Sequence, residues 1–220
     1  MSKTIIISNR LPVQLQISEG EIKAIPSVGG LATGMKSVHQ EGESLWIGWS
    51  GLTREEIPES LEPKIDAALA LHGCSKVPLS QKEVAGFYFG FSNRTVWPLF
   101  HYFLEYAEFD LANWKVYEEV NRKFADAIVE KAGEEDVIWV HDYQLQLVPG
   151  RLRTLRPDVT IGFFLHIPFP PVELFAYLPW RTSVLRGLLG SDVLAFQTEQ
   201  SVTNFRDAAL RYAGAREADG

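Results

Sequence analysis

The sequence predicts a doubly wound α/β fold with a mainly parallel sheet. Three observations carry that expectation. Unbroken apolar runs, Val137 to Val140 and Ile161 to Leu165, read as central strands covered on both faces. Segments of helical period separate the runs, which predicts right-handed crossovers between parallel strands. Each run stops at ionisable residues, His141-Asp142 after the first and His166 after the second. The opening strand behaves likewise, with Thr4 to Ser8 running into Asn9-Arg10. Ligands gather at the carboxyl ends of such strands. Arg10, Asp142 and His166 together suit a phosphorylated, hydroxyl-rich ligand.

The elements follow in order. Residues 3–8 form a buried strand, and 13–25 alternate about a Glu19-Gly20 turn as a hairpin. Gly29-Gly30 opens a helical stretch to His39, and Leu45 to Trp49 forms a short strand ended by Ser50-Gly51. Residues 53–80 are polar, with a short helix from Pro63 to Leu71. A long helical region covers 81–101, interrupted near Gly90 and Pro98. Asn113 caps a helix to Lys131 whose Val116, Val120, Phe124, Ala127 and Ile128 follow helical spacing, and Gly133 ends it. Strand 137–141, helix 143–156, strand 159–165, helices over 171–189, strand 192–196 and helix 199–213 complete the series. The last residues, Ala213 to Gly220, add no closing element, so the chain reads as part of a longer protein.

Composition narrows the function. The 220 residues are 46% hydrophobic and 22% charged, ordinary for a globular protein of one large domain or two small ones. A net charge of -7 argues against nucleic-acid binding, which needs basic surfaces. Cys74 is the single cysteine, so neither an intrachain disulfide nor a cysteine-rich zinc site is expected. No apolar run approaches the ~18 residues of a membrane span, and Ile5-Ile6-Ile7 is too short for a signal-peptide core. A cytoplasmic, membrane-free protein is the expectation.

Several familiar motifs are missing. Gly29-Gly30-Leu31-Ala32-Thr33-Gly34-Met35-Lys36-Ser37 only resembles a P-loop, with one residue inserted before the lysine, and Pro26-Ser27-Val28 precedes it in place of a buried strand. A P-loop lysine must follow its glycine directly to reach the phosphates. Two glycines before a helix let the backbone approach an anion, but from glycine alone a plain turn is the better reading. No Asp-x-Asp pair occurs, so neither metal nor cofactor is expected. His141 and Asp142 point to opposite faces of an extended strand, which argues against a shared metal. His39, His72 and His101 lack ligand-spaced partners.

Taken together, Ser8-Asn9-Arg10-Leu11-Pro12, Gly29-Gly30-Leu31, Trp46-Ile47-Gly48-Trp49-Ser50-Gly51, Phe91-Ser92-Asn93, Trp97-Pro98-Leu99-Phe100-His101-Tyr102, Trp139 to Leu145, Gly162 to Pro170 and Phe196-Gln197-Thr198 resemble the N-terminal half of the trehalose-6-phosphate synthase family. These are retaining glucosyltransferases of the GT-B fold, with two Rossmann-like domains facing a cleft. The resemblance runs from Ile5 to about Tyr212. It implies that residues 1–220 form the N-terminal Rossmann-like domain, which mainly holds the acceptor, and that the C-terminal nucleotide-sugar domain is absent from this chain. Pro12 and the 13–25 hairpin depart from the family pattern or vary within it.

The resemblance also implies roles. Arg10 and Tyr88 would bind the phosphate of glucose 6-phosphate, Trp97 would pack on its sugar, and Asp142 would accept hydrogen bonds from its hydroxyls. Periodicity alone would place Tyr88 in the core. His166 would approach the glucose of UDP-glucose, and Gly29 and Gly30 its diphosphate. Trp97 and Ile167 would select the anomer. Asp142 and His166 would be the catalytic pair. The implied reaction gives α,α-trehalose 6-phosphate and UDP by front-face attack. Other readings are a non-catalytic sugar-phosphate-binding module, and a related glucosylglycerol-phosphate synthase with a different acceptor. Homo-oligomerisation is left open.

Overall fold

A computed structural model describes residues 2–18, 21–27, 30–35, 39 and 44–217. Its centre is a six-stranded sheet built from β1 (Thr4–Arg10), β4 (Ser44–Trp49), β5 (Cys74–Lys76), β6 (Val137–His141), β7 (Thr160–Leu165) and β8 (Val193–Phe196). The order is β5-β4-β1-β6-β7-β8, and all five pairings are parallel. The chain winds outward from β1 first through β4 and β5, then through β6, β7 and β8. The reversal falls between β1 and β6, where such sheets open a crevice at their carboxyl ends. An antiparallel hairpin, β2 (Val13–Ser18) with β3 (Glu21–Pro26), stands apart from the sheet.

The apolar run of β1 explains its central place. Ile5 and Ile7 join the larger core, with Phe87, Phe91, Phe124 and Ile128 from helices on one face. Ile6 points the other way into a smaller core with Trp46, Leu15, Ile65 and Leu69. All three isoleucines are fully buried, and each contributes about 1.5–3 kcal/mol by leaving water. The smaller core is roofed by the hairpin, α1 (Gly30–Gly34) and α2 (Glu62–Ala70). The larger one is covered by α3 (Gln81–Glu83) with its continuation, α5 (Leu111–Lys131), α6 (Val148–Leu155), α7 (Val172–Phe175), α8 (Arg181–Leu188) and α9 (Glu199–Tyr212).

Four sequence expectations are corrected. The region 81–101 is not interrupted at Gly90 or Pro98. After α3 it widens into π-helical turns over Val84–Val96 and closes as α4 (Trp97–Phe100). Gly90 is a contact point instead, since a Cβ there would lie 2.6 Å from Asn113 Cγ. Pro98 falls in the first turn of α4, where a missing N–H is tolerated. The cap of α5 is Asp110, whose carboxylate accepts the Asn113 N–H at 2.7 Å, and the helix ends at Lys131, before Gly133. Residues 143–156 begin with a 3₁₀ turn, Tyr143–Leu145, before α6. Strand β5 was not expected, because three residues are too few to show a period. The stretch opened by Gly29-Gly30 is helical over Gly30–Gly34, and residues 36–38 of the expected helix to His39 lie outside the described residues. Elsewhere the boundaries shift by one or two residues, and β1 runs on to Arg10.

Candidate active site

Arg10 ends β1 next to Trp49, the last residue of β4, after a register shift between Ile7 and Arg10. The shift re-aims the arginine, as bulges at sheet rims do. Its guanidinium carbon lies 4.5 Å from the Trp49 ring centroid and 5.8 Å from that of Tyr88. Two faces of aromatic charge thus hold an otherwise exposed cation. Gly48 makes the approach feasible. A Cβ there would sit 2.9 Å from Ser8 O and 3.0 Å from both Arg10 C and Leu11 N. Ser8 locks the same turn, donating to Arg10 O and accepting from Trp46 Nε1, both at 2.7 Å.

Asp142 follows β6 with φ 75° and ψ 170°. It therefore lies outside β6, and the extended-strand geometry expected for the His141-Asp142 pair is replaced by a turn. The turn brings its carboxylate back under the backbone. Oδ1 accepts the N–H of Tyr143 at 2.9 Å and that of His166, just past β7, at 3.2 Å. Burial pushes its pKa up to about 6, and those two amides pull it down in part. His141 and His166 meet directly, Nδ1 to Nε2 at 3.0 Å. Burial holds His141 down to about 3, aided by His166, and lowers His166 as well, so both imidazoles are neutral near pH 7.

Tyr143 joins the two halves. Its hydroxyl donates to Asn93 Oδ1 at 3.0 Å. Burial raises its pKa, helped by the charges of Asp142 and Tyr88. Arg10, Tyr88, Tyr143, Asp142 and His166 thus form one sequence of neighbours along the β1, β6 and β7 ends. Trp97 is 41% exposed and stacks on His101, centroids 4.1 Å apart, and on Phe103. Ile167 is buried in the larger core. Gly30 opens α1 with nothing within 4 Å of a Cβ placed on it, and Gly29 lies outside the described residues. Sequence reasoning missed Trp49 and gave His141 no part. A tryptophan two residues before a Gly and a histidine beside an assigned aspartate were the available signals. His39 bridges Ser44 and the His72 carbonyl, an ordinary structural role.

No group of three or more His, Cys, Asp or Glu able to hold a metal occurs among the described residues. None of their helices is long and apolar enough to cross a membrane. A surface cavity at the β5 edge contains none of Arg10, Tyr88, Asp142 and His166, and its Lys76 and Lys123 are already paired with Glu62, Asp66 and Glu83.

A doubly wound parallel sheet with a cation, a carboxylate and an imidazole at its switch point is a Rossmann-like domain, and its likeness to solved trehalose-phosphate synthases makes it the N-terminal domain type of the GT-B glycosyltransferases. The chain matches the model of glycosyltransferase family 20 over residues 2–218 and belongs to that family. It is 45% identical over 215 residues to the trehalose-6-phosphate synthase of Mycolicibacterium smegmatis, covering 97% of this chain and 41% of that protein. Among solved structures, the E. coli trehalose-6-phosphate structure bound with UDP-2-fluoro glucose superposes with a TM-score of 0.77 at 32% identity, over 96% of this chain and 43% of that one. An α,α-trehalose-phosphate synthase (UDP-forming) from Burkholderia xenovorans in complex with glucose-6-phosphate gives 0.75 at 30%, over 96% and 43%. The chain thus spans about two-fifths of the length of these relatives.

Proposed function

We propose that this chain is the acceptor-side, N-terminal domain of a retaining glucosyltransferase. The whole protein would transfer glucose from UDP-glucose to the anomeric hydroxyl of glucose 6-phosphate, giving α,α-trehalose 6-phosphate and UDP. The observation that carries this reading is the continuous set Arg10–Tyr88–Tyr143–Asp142–His166 at the switch point. It offers a guanidinium for a phosphate and, a few residues away, a carboxylate for sugar hydroxyls. The complexes of the similar synthases with a UDP-sugar and with glucose-6-phosphate support it.

The chemistry follows from the residues. Arg10 binds the acceptor phosphate through a planar fork, with Tyr88 adding a hydroxyl. Trp97 packs on the acceptor sugar and, with Ile167, restricts the anomer. Asp142, ionised above about pH 6, accepts hydrogen bonds from acceptor hydroxyls. His166 meets the donor glucose as a neutral hydrogen-bonding group, with the Gly29-Gly30 turn beside the diphosphate. The acceptor oxygen bonds to C1 as the C1–O bond to UDP breaks on the same face. The acceptor's proton passes to the departing phosphate oxygen. Positioning and charge stabilisation supply the rate.

The test is acceptor screening with the whole protein. UDP-glucose and glucose 6-phosphate should yield a non-reducing disaccharide phosphate with both linkages α. Turnover with glycerol 3-phosphate in preference to glucose 6-phosphate would replace this reading with the glucosylglycerol-phosphate one.

A further inference from the structure

We infer that His141 is a positioning residue that fixes the tautomer of His166, so that His166 presents Nδ1–H, a hydrogen-bond donor, at the strand ends. Nδ1 of His141 and Nε2 of His166 lie 3.0 Å apart. Two neutral imidazoles can share such a bond in only two ways. In one, His141 Nδ1–H donates to a bare His166 Nε2. In the other, His166 Nε2–H donates to a bare His141 Nδ1, and the His141 proton then sits on Nε2.

The surroundings of His141 choose between them. The residue is 1% exposed, and its Nε2 is sealed from water without a hydrogen-bond partner. A proton there would be an orphaned buried N–H, rarer and costlier than an unused lone pair. The Trp139 ring beside it, centroids 4.9 Å apart and tilted 40°, offers only a weak π acceptor. The proton therefore belongs on His141 Nδ1, and His166 Nε2 accepts it. The remaining proton of His166 is then on Nδ1.

The far side of His166 is open for that donor. Its ring is half-buried, and Nδ1 has no hydrogen-bond partner among the described residues. Nδ1 is also absent from the atoms sealed without partners, so it meets solvent. The backbone N–H of His166 is held by Asp142 at 3.2 Å, which fixes the ring's root as His141 fixes its proton. Second-neighbour control of a histidine proton is a general device. His166 then donates to a sugar oxygen and takes no proton in the reaction. This last step rests on the proposed function, whereas the tautomer does not.

The test begins with the 220-residue chain labelled with ¹⁵N-histidine. Long-range ¹H–¹⁵N spectra near pH 7, assigned by substituting the five histidines one at a time, should show a protonated Nδ1 and a bare Nε2 for both His141 and His166. A protonated Nε2 on His166 overturns the inference, with no variant needed. In His141→Phe, which keeps a ring but no donor, His166 should turn to the Nε2–H form that free imidazole prefers. A retained Nδ1–H form there also overturns it. His141→Asn, whose amide N–H falls near the Nδ1 position, should restore the native tautomer. In the whole protein, His141→Phe should lower kcat/KM for UDP-glucose about threefold to tenfold and His141→Asn recover most of it, with the glucose 6-phosphate KM unmoved. A protein that shows the expected tautomers but does not use UDP-glucose contradicts the proposed function and leaves the role of His141 standing.

Discussion

Asp142 holds a backbone conformation that L-residues avoid, at φ 75° and ψ 170°, and such strain costs about 1–3 kcal/mol. It persists because two amides, His166 just past β7 and Tyr143 of the 3₁₀ turn, clasp the carboxylate. Burial adds a second cost. An ordinary aspartate titrates at 3.8 and this one at about 6. The folded state thus binds the proton more tightly. The stability it contributes is full below about pH 3.8 and lost as pH rises through about 6. Asp142→Asn lacks this dependence. Relative to the native chain it should gain on the order of 2 kcal/mol between about pH 4 and pH 7. Urea unfolding at the two pH values measures the difference, in which the histidines, present in both proteins, cancel. A gap that does not change with pH would mean the carboxylate is not desolvated. Arg10 gives a binding test at the same scale. A charge-assisted hydrogen bond of roughly 1.5–3 kcal/mol corresponds to about ten- to a hundredfold in affinity. Arg10→Ala in the whole protein should raise the glucose 6-phosphate KM by that factor and leave UDP-glucose nearly unchanged. Arg10→Lys should recover only part, because an ammonium lacks the fork. Unaltered preference for the phosphorylated acceptor would move the phosphate site off Arg10.

Between β1 and β4, the contact that aims Arg10 depends on the absence of one side chain. Gly48 faces backbone atoms of Ser8, Arg10 and Leu11 at 2.9–3.0 Å, and backbone cannot rotate out of the way. Gly48→Ala should destabilise the fold by about 1–3 kcal/mol through overpacking. It should also weaken glucose 6-phosphate binding more than UDP-glucose binding, because the end of β1 moves. Thermal unfolding and the two KM values check this, and a variant with native stability and native KM values would show that β1 is not pinned there. The π-helical stretch Val84–Val96 works at the same scale. It carries Tyr88 to Arg10, Asn93 to the Tyr143 hydroxyl and, one residue on, Trp97. Wide turns of this kind recur at functional sites. Helical spacing in the sequence conveys a helix here but not its winding, because the choice between i→i+4 and i→i+5 bonds is made by packing against α5.

At the scale of the molecule, the described residues furnish one sheet edge with Arg10, Asp142 and His166. The 220-residue chain alone, at about two-fifths of its relatives' length, should bind glucose 6-phosphate weakly and release no UDP from UDP-glucose. Glucose 6-phosphate-dependent UDP release by this chain would refute the division of labour proposed for it. Much of this architecture was legible beforehand for a local reason. A run such as Ile5-Ile6-Ile7 or Ile161 to Leu165 is apolar on both faces because it lies between two layers, and it stops where the layers stop. Burial therefore writes the strands, their carboxyl ends and the residues Arg10, Asp142 and His166 into consecutive positions. What lay beyond the sequence depends on partners distant along the chain. The order β5-β4-β1-β6-β7-β8 sets Trp49 beneath Arg10. The left-handed turn at Asp142 lets it reach the His166 amide and leaves His141 to meet the ring. The approach of α5 decides which glycines serve as contacts. Apolar patterning specifies which residues leave water, whereas only the assembled sheet decides which of them meet.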